Sequence, residues 1–137
     1  MADKAKRVDY YSIEIPDQPG EAFRILAKFK ESGVNFLSIT GFPASVLGKG
    51  QISLMPENGE SFLKAAKTVG VAVGAAKKAF LVQGSDRVGA AAETFKKLAD
   101  AKINMRAYNA GSSQGNFGLV IWVAAEDVDV AAKALGT

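Results

Sequence analysis

The chain has 137 residues, a length that suits one compact domain or two very small ones. Of these residues 48% are hydrophobic and 23% are charged, which predicts a globular core, and a net charge of +3 from scattered lysines and arginines argues against nucleic-acid binding. The chain contains no cysteine and no histidine, which excludes disulfides, thiolate metal sites and catalysis by Cys or Ser–His systems.

The start of the chain is basic but carries no apolar signal core. Residues 1–7 are predicted to be an N-terminal tail that leads directly into a strand. No stretch approaches the roughly 18–20 apolar residues that are needed to span a bilayer. We therefore expect a cytoplasmic protein with no membrane association.

The first half of the chain alternates between strand and helix patterns. A run rich in Tyr, Ile and Val is broken by Asp17, Gln18, Pro19 and Gly20, after which apolar residues recur with helical spacing. In order, the predicted elements are strand 8–15, helix 21–32, strand 34–40, strand 50–55, helix 58–68 and a short strand 71–73.

The second half shows the same order of elements. The predicted elements are strand 78–82, helix 88–101, strand 103–109, strand 116–123 and helix 126–135. The chain then ends before a fourth strand. The second half is predicted either to have a three-stranded sheet or to have its edge covered by a neighbour, because an open edge invites pairing.

The two halves are an internal repeat. At one constant spacing the matched residues are Asp17 with Asp86, Gly20 with Gly89, Ala22 with Ala91, Lys28 with Lys97, and Asn35 with Asn104. The match resumes at the far ends, where Gly70 falls on Gly136, and the change in spacing falls in a predicted turn. We refer to the halves as copy one and copy two.

The order of elements predicts an α+β fold of two ferredoxin-like βαββαβ units in tandem. Each unit has an antiparallel sheet with its helices on one face, and copy two lacks its last strand. The predicted domains are 8–75 and 76–137. Units of this size bury little core alone, so we expect their sheets to pack together or to join edge to edge, and the chain to form a homodimer.

The sequence resembles the ACT domain family. The resemblance rests on a strand followed by Asp17, Gln18, Pro19 and Gly20, an amphipathic helix, and then Gly-Val-Asn at 33–35. Copy two departs from this motif, with Val88 in place of the proline and Lys-Ile-Asn at 102–104. ACT domains are regulatory modules that commonly bind amino acids between domains, and the resemblance implies a stand-alone tandem type.

The resemblance also implies where a ligand would be bound. In the family the contacts come from the loop after the first strand and from the start of the second strand. The matching positions here are Asp17, Gln18, Pro19, Gly20, Val34, Asn35, Asp86, Arg87, Gly89, Ile103 and Asn104.

The chemistry of these residues suits an amino acid. A helix N-terminus attracts a carboxylate, and an Asp in the loop attracts an ammonium group. A purely architectural interpretation stays open, because Asp before Pro-Gly is also common at a helix start and Asn35 can bridge the turn to the strand.

Two other features suggest sites and are better explained as structure. Glu14, Asp17 and Glu21 are three carboxylates near one another in sequence, but strand alternation fixes no common face for a metal. The segment 111–115 is rich in glycine and serine, yet it joins two strands and lacks the ending of a phosphate loop. We expect a hairpin turn there.

Three functions remain to be separated. The leading hypothesis is a regulatory protein that senses an amino acid at an interface between ACT-like domains, with no cofactor and no metal. The alternative is a ligand-free module that dimerises or docks on a metabolic enzyme. An enzyme on this scaffold is disfavoured, because most of the usual acid–base residues are absent.

Overall fold

The fold is described by a computed structural model covering residues 3–43 and 47–137. Residues 1 and 2 of the predicted tail and residues 44–46 of the predicted turn lie outside the described residues. The elements are β1 (Lys4–Pro16), α1 (Glu21–Glu31), β2 (Phe36–Pro43), β3 (Lys49–Pro56), α2 (Gly59–Val69), β4 (Lys77–Ser85), α3 (Ala90–Asp100), β5 (Met105–Ser113), β6 (Asn116–Val123), a 3₁₀ turn (Ala125–Asp127) and α4 (Val128–Leu135).

The chain divides into two compact units. The first unit is Asp9–Lys77, and the second unit combines the segment up to Val8 with Lys78–Thr137. The predicted α+β fold with two βαββα repeats and antiparallel strand pairs is confirmed. None of the helices in the described part of the chain is long and apolar enough to cross a bilayer.

In the first unit, the strands follow the order β2-β3-β1. Both pairings are antiparallel, with Ile13 opposite Ile52 in the β1–β3 pair. The helices cover one sheet face, where Phe29 and Phe62 are completely buried and stack with ring centroids 5.0 Å apart. Burial of such aromatic side chains supplies most of the stability of a core this small.

In the second unit, the strands follow the order β1-β4-β6-β5. Its core contains Phe80, Leu119 and Ile121, which are fully buried together with Ala131 of α4. The part of β1 that belongs to this unit, Lys4–Val8, lies beside β4. It occupies the place that a fourth strand of copy two would have in a ferredoxin-like sheet.

This arrangement changes two expectations from the sequence. The predicted tail is wrong for Lys4–Arg7, because these residues are part of β1 and Ala5 packs against the second core. Copy two was expected to lack its last strand and so to leave one edge of β4 open. That edge is not open, because β1 lies beside β4. An open sheet edge exposes unpaired amide and carbonyl groups that can pair with another chain, and pairing with β1 removes that exposure.

Two smaller differences concern the far ends of the copies. No strand is assigned at the predicted strand 71–73; Val71 and Val73 instead pack against the first core as irregular chain. The last helix begins at Val128, because Ala125–Asp127 form a 3₁₀ turn, a common start for a helix.

The repeat is visible in the backbone as well as in the sequence. The amide of Asp17 donates to the carbonyl oxygen of Gly48 (3.0 Å), and the amide of Asp86 donates in the same way to Gly115 (2.9 Å). The helices α2 and α4 both end at a glycine in the left-handed region, Gly70 and Gly136. The predicted repeat is therefore confirmed.

The residues that follow α1 and α3 share a left-handed backbone conformation, but only one of them is a glycine. Gly33 (φ 74°) follows α1, whereas Lys102 (φ 60°) holds the same left-handed conformation after α3. A residue with a Cβ is strained there by about 1–2 kcal/mol.

We expect Lys102→Gly to leave the free energy of unfolding unchanged or to raise it by up to about 1 kcal/mol, because the relief of strain exceeds or balances the added chain entropy. The reciprocal change Gly33→Lys is expected to lower it by about 1 kcal/mol. Urea titration measures both. A loss of equal size in the two variants would contradict the argument.

Candidate functional site

The loop after β1 is a tight turn that ends at the start of α1. The amide of Glu21 donates to the carbonyl oxygen of Gln18 (3.3 Å), and Gly20 between them has φ 89° and ψ −10°. These features match a type II turn with Pro19 and Gly20 at its centre. Because Gly20 occupies the helix N-cap and carries no side chain, no side-chain cap fills the first turn of α1.

A surface pocket of about 360 Å³ opens beside this turn. Its lining includes the apolar side chains of Ile15 and Ile52 and the glycines at 20, 41 and 50. The residues that line it are Ile15, Pro16, Asp17, Gln18, Gly20, Ala22, Gly41, Phe42, Pro43, Gly50, Gln51 and Ile52. The structure therefore brings the predicted residues Asp17, Gln18 and Gly20 together at one pocket.

The carboxylate of Asp17 is exposed at the rim of this pocket. Within residues 3–43 and 47–137, its side chain takes part in none of the hydrogen bonds or ion pairs and does not cap α1. The other carboxylates of the suspected cluster differ: Glu21 pairs with Arg24 (2.9 Å), and Glu14 lies on the strand. Asp17 is thus the carboxylate of these three that lines the pocket without a side-chain partner in the described chain.

The start of β2 lies at the opposite end of the sheet. Asn35 donates from Nδ2 to Oε2 of Glu57 (2.8 Å), and the Glu57 amide donates back to the carbonyl oxygen of Asn35 (2.9 Å). Val34 packs against the core. Since Gly41 is the first residue of β2 that lines the Asp17 pocket, the six residue steps from Asn35, at about 3.3 Å each, separate Asn35 from the pocket by about 20 Å.

The loop after β4 repeats the turn with different side chains. The amide of Ala90 donates to the carbonyl oxygen of Arg87 (3.3 Å), and Gly89 has φ 81°. Val88 takes the place of Pro19 and is fully exposed, so the turn tolerates it. A pocket of about 320 Å³ here is lined by Asp86, Arg87 and Gly89 among others.

The guanidinium of Arg87 is already engaged. It donates from both terminal nitrogens to the carboxylate of Asp3 (3.0 and 2.8 Å), and also to Glu93 and to the carbonyl oxygen of Ser85 (2.8 Å). The Phe117 ring lies under it, 5.7 Å from Cζ to the ring centroid. The hydrogen bonds from Arg87 hold the pKa of Asp3 below its ordinary value.

The remaining predicted residues of copy two do not join this loop. Ile103 is buried in the core of the second unit, where its side chain is not exposed to a ligand. Asn104 is exposed and, like Asn35, stands at the strand end remote from the turn. Asn104 and Ile103 therefore do not form one pocket with Asp86, Arg87 and Gly89.

Sequence reasoning missed the partners of Arg87. Asp3 is distant in the chain and lay in the predicted tail, so no local pattern pointed to it. A signal was present in the aligned copies: the paired positions Ile15 and Gly50 of copy one correspond to Gly84 and Phe117 of copy two. The exchange of a large and a small side chain across a strand pair marks a difference between the two loops.

The glycine-rich segment 111–115 behaves as expected. Residues 111–113 end β5, and Gln114 and Gly115 form the turn to β6 with positive φ (51° and 80°), as the centre of a type I′ hairpin requires. The prediction of a hairpin turn there is confirmed.

Comparison with known proteins identifies the fold. No family model and no curated protein matches the chain. Among solved structures, protein BT0572 from Bacteroides thetaiotaomicron superposes with a TM-score of 0.80 at 15% identity, over 96% of this chain and 88% of that one.

Two regulatory subunits of aspartate kinase are also similar. The ligand-free subunit from Thermus thermophilus gives a TM-score of 0.66 at 18% identity, over 99% of this chain and 95% of that one. The subunit from Thermus flavus gives 0.61 at 21% identity, with the same coverage. At these identities the likeness shows the fold, and the fold expected from the ACT resemblance is confirmed.

The Asp3–Arg87 pair makes a specific prediction about acid. Because the pKa of Asp3 is lowered in the folded protein, the ion pair stabilises fully above the ordinary aspartate value of about 3.9 and is lost as the pH falls through the lower folded-state value. We expect the wild type to melt several degrees above Asp3→Asn at pH 6 and the two to converge towards pH 2. A gap that persists at pH 2 would contradict an ionic origin.

Proposed function

We propose that this protein is a non-catalytic regulatory module that binds an amino acid at the loop after β1. The observation that carries the proposal is the exposed, unengaged carboxylate of Asp17 beside a pocket of about 360 Å³. Proteins of the same fold include subunits whose names state that they regulate aspartate kinase, which supports a regulatory role.

The chemistry of the loop suits both ends of a zwitterion. Asp17 attracts the ammonium group of the ligand. The first turn of α1 lacks a side-chain cap, so the amides of Ala22 and Phe23 are directed to a ligand carboxylate, aided by the positive end of the helix dipole. Gln18 adds a side chain that both donates and accepts.

The ligand site is completed by a second copy of the chain. An amino acid is far shorter than the roughly 20 Å between Asp17 and Asn35 within one unit. If both regions contact one ligand, as the ACT resemblance implies, the start of β2 comes from another ACT-like domain. We therefore propose a homodimer in which ligand binding and association are linked.

The proposal also covers the compartment and the partner of the protein. We propose that it acts in the cytoplasm on a metabolic enzyme, without nucleic acid, membrane, metal or cofactor. A solved assembly of aspartokinase alpha and beta subunits, similar in fold at 18% identity, supports partnership with an enzyme.

A thermal-shift screen against the twenty amino acids tests ligand binding. At a concentration a hundredfold above Kd, binding adds about 2.7 kcal/mol to stability, which raises Tm by several degrees. We expect one amino acid to produce this shift in the wild type and not in Asp17→Asn. No shift from any of them would overturn the proposal.

Asn35 needs a matched control because its side chain also supports the fold. Asn35→Ala and Glu57→Ala both remove the hydrogen bond between these side chains. We expect similar losses of basal Tm in the two variants, while the ligand-induced shift is abolished in Asn35→Ala alone. Equal loss of the shift in both would assign Asn35 a purely structural role.

The alternative function is a docking module that needs no ligand. It is favoured by β2, which pairs with β3 and forms the outer strand of the first unit within the described chain. Leu37, Ile39 and Phe42 on this strand are 37%, 50% and 41% exposed. An apolar strand at a sheet edge is a surface for pairing with another chain.

Ile39→Lys tests this alternative. A charge on the outer strand is expected to weaken self-association at least tenfold and to leave Tm of the monomer within a few degrees, because Ile39 is half exposed. Light scattering across a dilution series measures the association. The matched control is Val130→Lys, a similarly exposed position on α4. Equal effects of the two changes would contradict a role for the β2 edge.

A further inference from the structure

We propose that Gly84, Arg87 and Phe117 form a carboxylate-binding cradle that the protein's own Asp3 fills, and that a small carboxylate competing for this cradle releases the N-terminal end of β1 from β4. This site is in copy two and is separate from the Asp17 pocket. The inference goes beyond the proposed function, and it does not require an amino acid to bind in copy one.

The cradle is shaped for a planar carboxylate. The two oxygens of Asp3 face the two terminal nitrogens of Arg87 at 3.0 and 2.8 Å, the bidentate geometry in which guanidinium recognises carboxylate. Phe117 supports the guanidinium from below. The side chain of Asp3 is only 14% exposed, so the bound carboxylate is largely enclosed.

Gly84 provides the space that the carboxylate needs. A Cβ atom on Gly84 would lie 2.0 Å from Oδ1 of Asp3 and 3.0 Å from the Phe117 ring. Any side chain at this position would therefore displace the bound carboxylate. In copy one the corresponding residue is Ile15, which closes this space. The cradle is thus a property of copy two alone.

The charges at the cradle favour exchange of one carboxylate for another. Glu93 also contacts Arg87, but its side chain is 62% exposed and lies at the rim. When Asp3 leaves, Arg87 keeps the exposed Glu93 as its charged partner and the carbonyl oxygen of Ser85 as a neutral acceptor, and it presents its bidentate edge to solvent. A small carboxylate restores the lost charge and hydrogen bonds, whereas a neutral molecule of the same shape does not.

Apart from its backbone pairing beside β4, the segment that Asp3 anchors makes few buried contacts. No residue from Asp3 to Val8 is fully buried; Ala5 is partly buried against the core. The ion pair of Arg7 with Asp129 is 38% and 93% exposed, and such surface pairs contribute little. Segments with few buried contacts open most readily, so occupancy of the cradle has a large effect on docking.

Chemical rescue tests the cradle in the full-length protein. Asp3→Ala is expected to lower Tm by several degrees, and about 100 mM sodium acetate at neutral pH is expected to recover at least half of that loss relative to sodium chloride of equal ionic strength. Acetamide at the same concentration is expected to have no effect. Sodium phosphate tests whether the cradle selects carboxylate over other anions, and equal rescue by phosphate would overturn that selectivity.

Three further variants locate the rescue. Acetate is expected to have no effect on Asp3→Ala/Arg87→Met, which lacks the guanidinium, or on Asp3→Ala/Gly84→Ala, in which the new Cβ fills the cradle. Asp129→Ala breaks the other ion pair of the same segment and is the matched control, with no rescue expected. Rescue of either double variant, or none in Asp3→Ala, would overturn the carboxylate site.

Tryptic cleavage after Lys4, Lys6 and Arg7 measures release in the wild type. Acetate is expected to accelerate this cleavage several-fold. The control is acetamide with sodium chloride added to the same ionic strength. Asp3→Ala is expected to be cleaved fast without acetate. The high effective concentration of Asp3 means that the wild type needs more acetate than the rescue does. Unchanged cleavage at saturating acetate overturns the coupling to β1.

Discussion

Both units depend on strand β1, because each requires part of it to complete its hydrogen bonding. In the second unit Lys4–Val8 of β1 lie beside β4, and in the first unit residues Tyr11 to Pro16 of β1 pair with β3. A central strand left with a bare edge exposes a row of unpaired amides and carbonyls. One continuous strand of 13 residues takes part in both repeats, and in the second unit it lies where copy two was expected to lack a strand.

The two loops share one backbone turn, and they differ in chemistry through the change from Gln18 to Arg87 and through an exchange across a neighbouring strand pair. Ile15 faces Gly50 in copy one, and Gly84 faces Phe117 in copy two. The large side chain fills the core in either arrangement, so packing is conserved. The position of the glycine differs in its surroundings: in copy one Gly50 lines the surface pocket, and in copy two Gly84 leaves the space that the carboxylate of Asp3 occupies.

Much of the fold was predictable because it depends on local signals. The apolar faces of α1 and α3, the turn at Pro19 and Gly20 and the left-handed glycines after α2 and α4 are all written in short stretches of sequence. The helices that were predicted from these signals are present, with ends that differ by a few residues. Periodicity identifies such elements because each buries one face against a sheet.

The features that escaped prediction depend on distant residues. Lys4 to Arg7 carry three charges in four positions, so their pattern is typical of a solvated tail, and only the open edge of β4 makes them a strand. The engagement of Arg87 by Asp3 spans most of the chain. For the site, the sequence placed the loop after β1 and the start of β2 in one candidate set. Asp17, Gln18 and Gly20 line one pocket, whereas the start of β2 lies a strand length away, and strand length is not a local property of the loop.

Regulation requires a part of the molecule whose free energy of docking is small enough for a ligand to change. The cores are unsuited to this role, because Phe29, Phe62, Phe80 and Ile121 are completely buried and moving them costs several kcal/mol each. The first residues of β1 and the preceding Asp3 differ from the cores. In the described chain their attachment includes backbone pairing, the contact of Ala5 with the core, and the ion pairs of Asp3 and Arg7. A ligand shifts a conformational equilibrium only if it binds the two conformations with different affinity, and a rigid core offers it only one conformation. The Arg87 loop lies where a bound carboxylate and a weakly held strand compete for the same guanidinium, so the binding energy of a small molecule is converted there into movement of the chain.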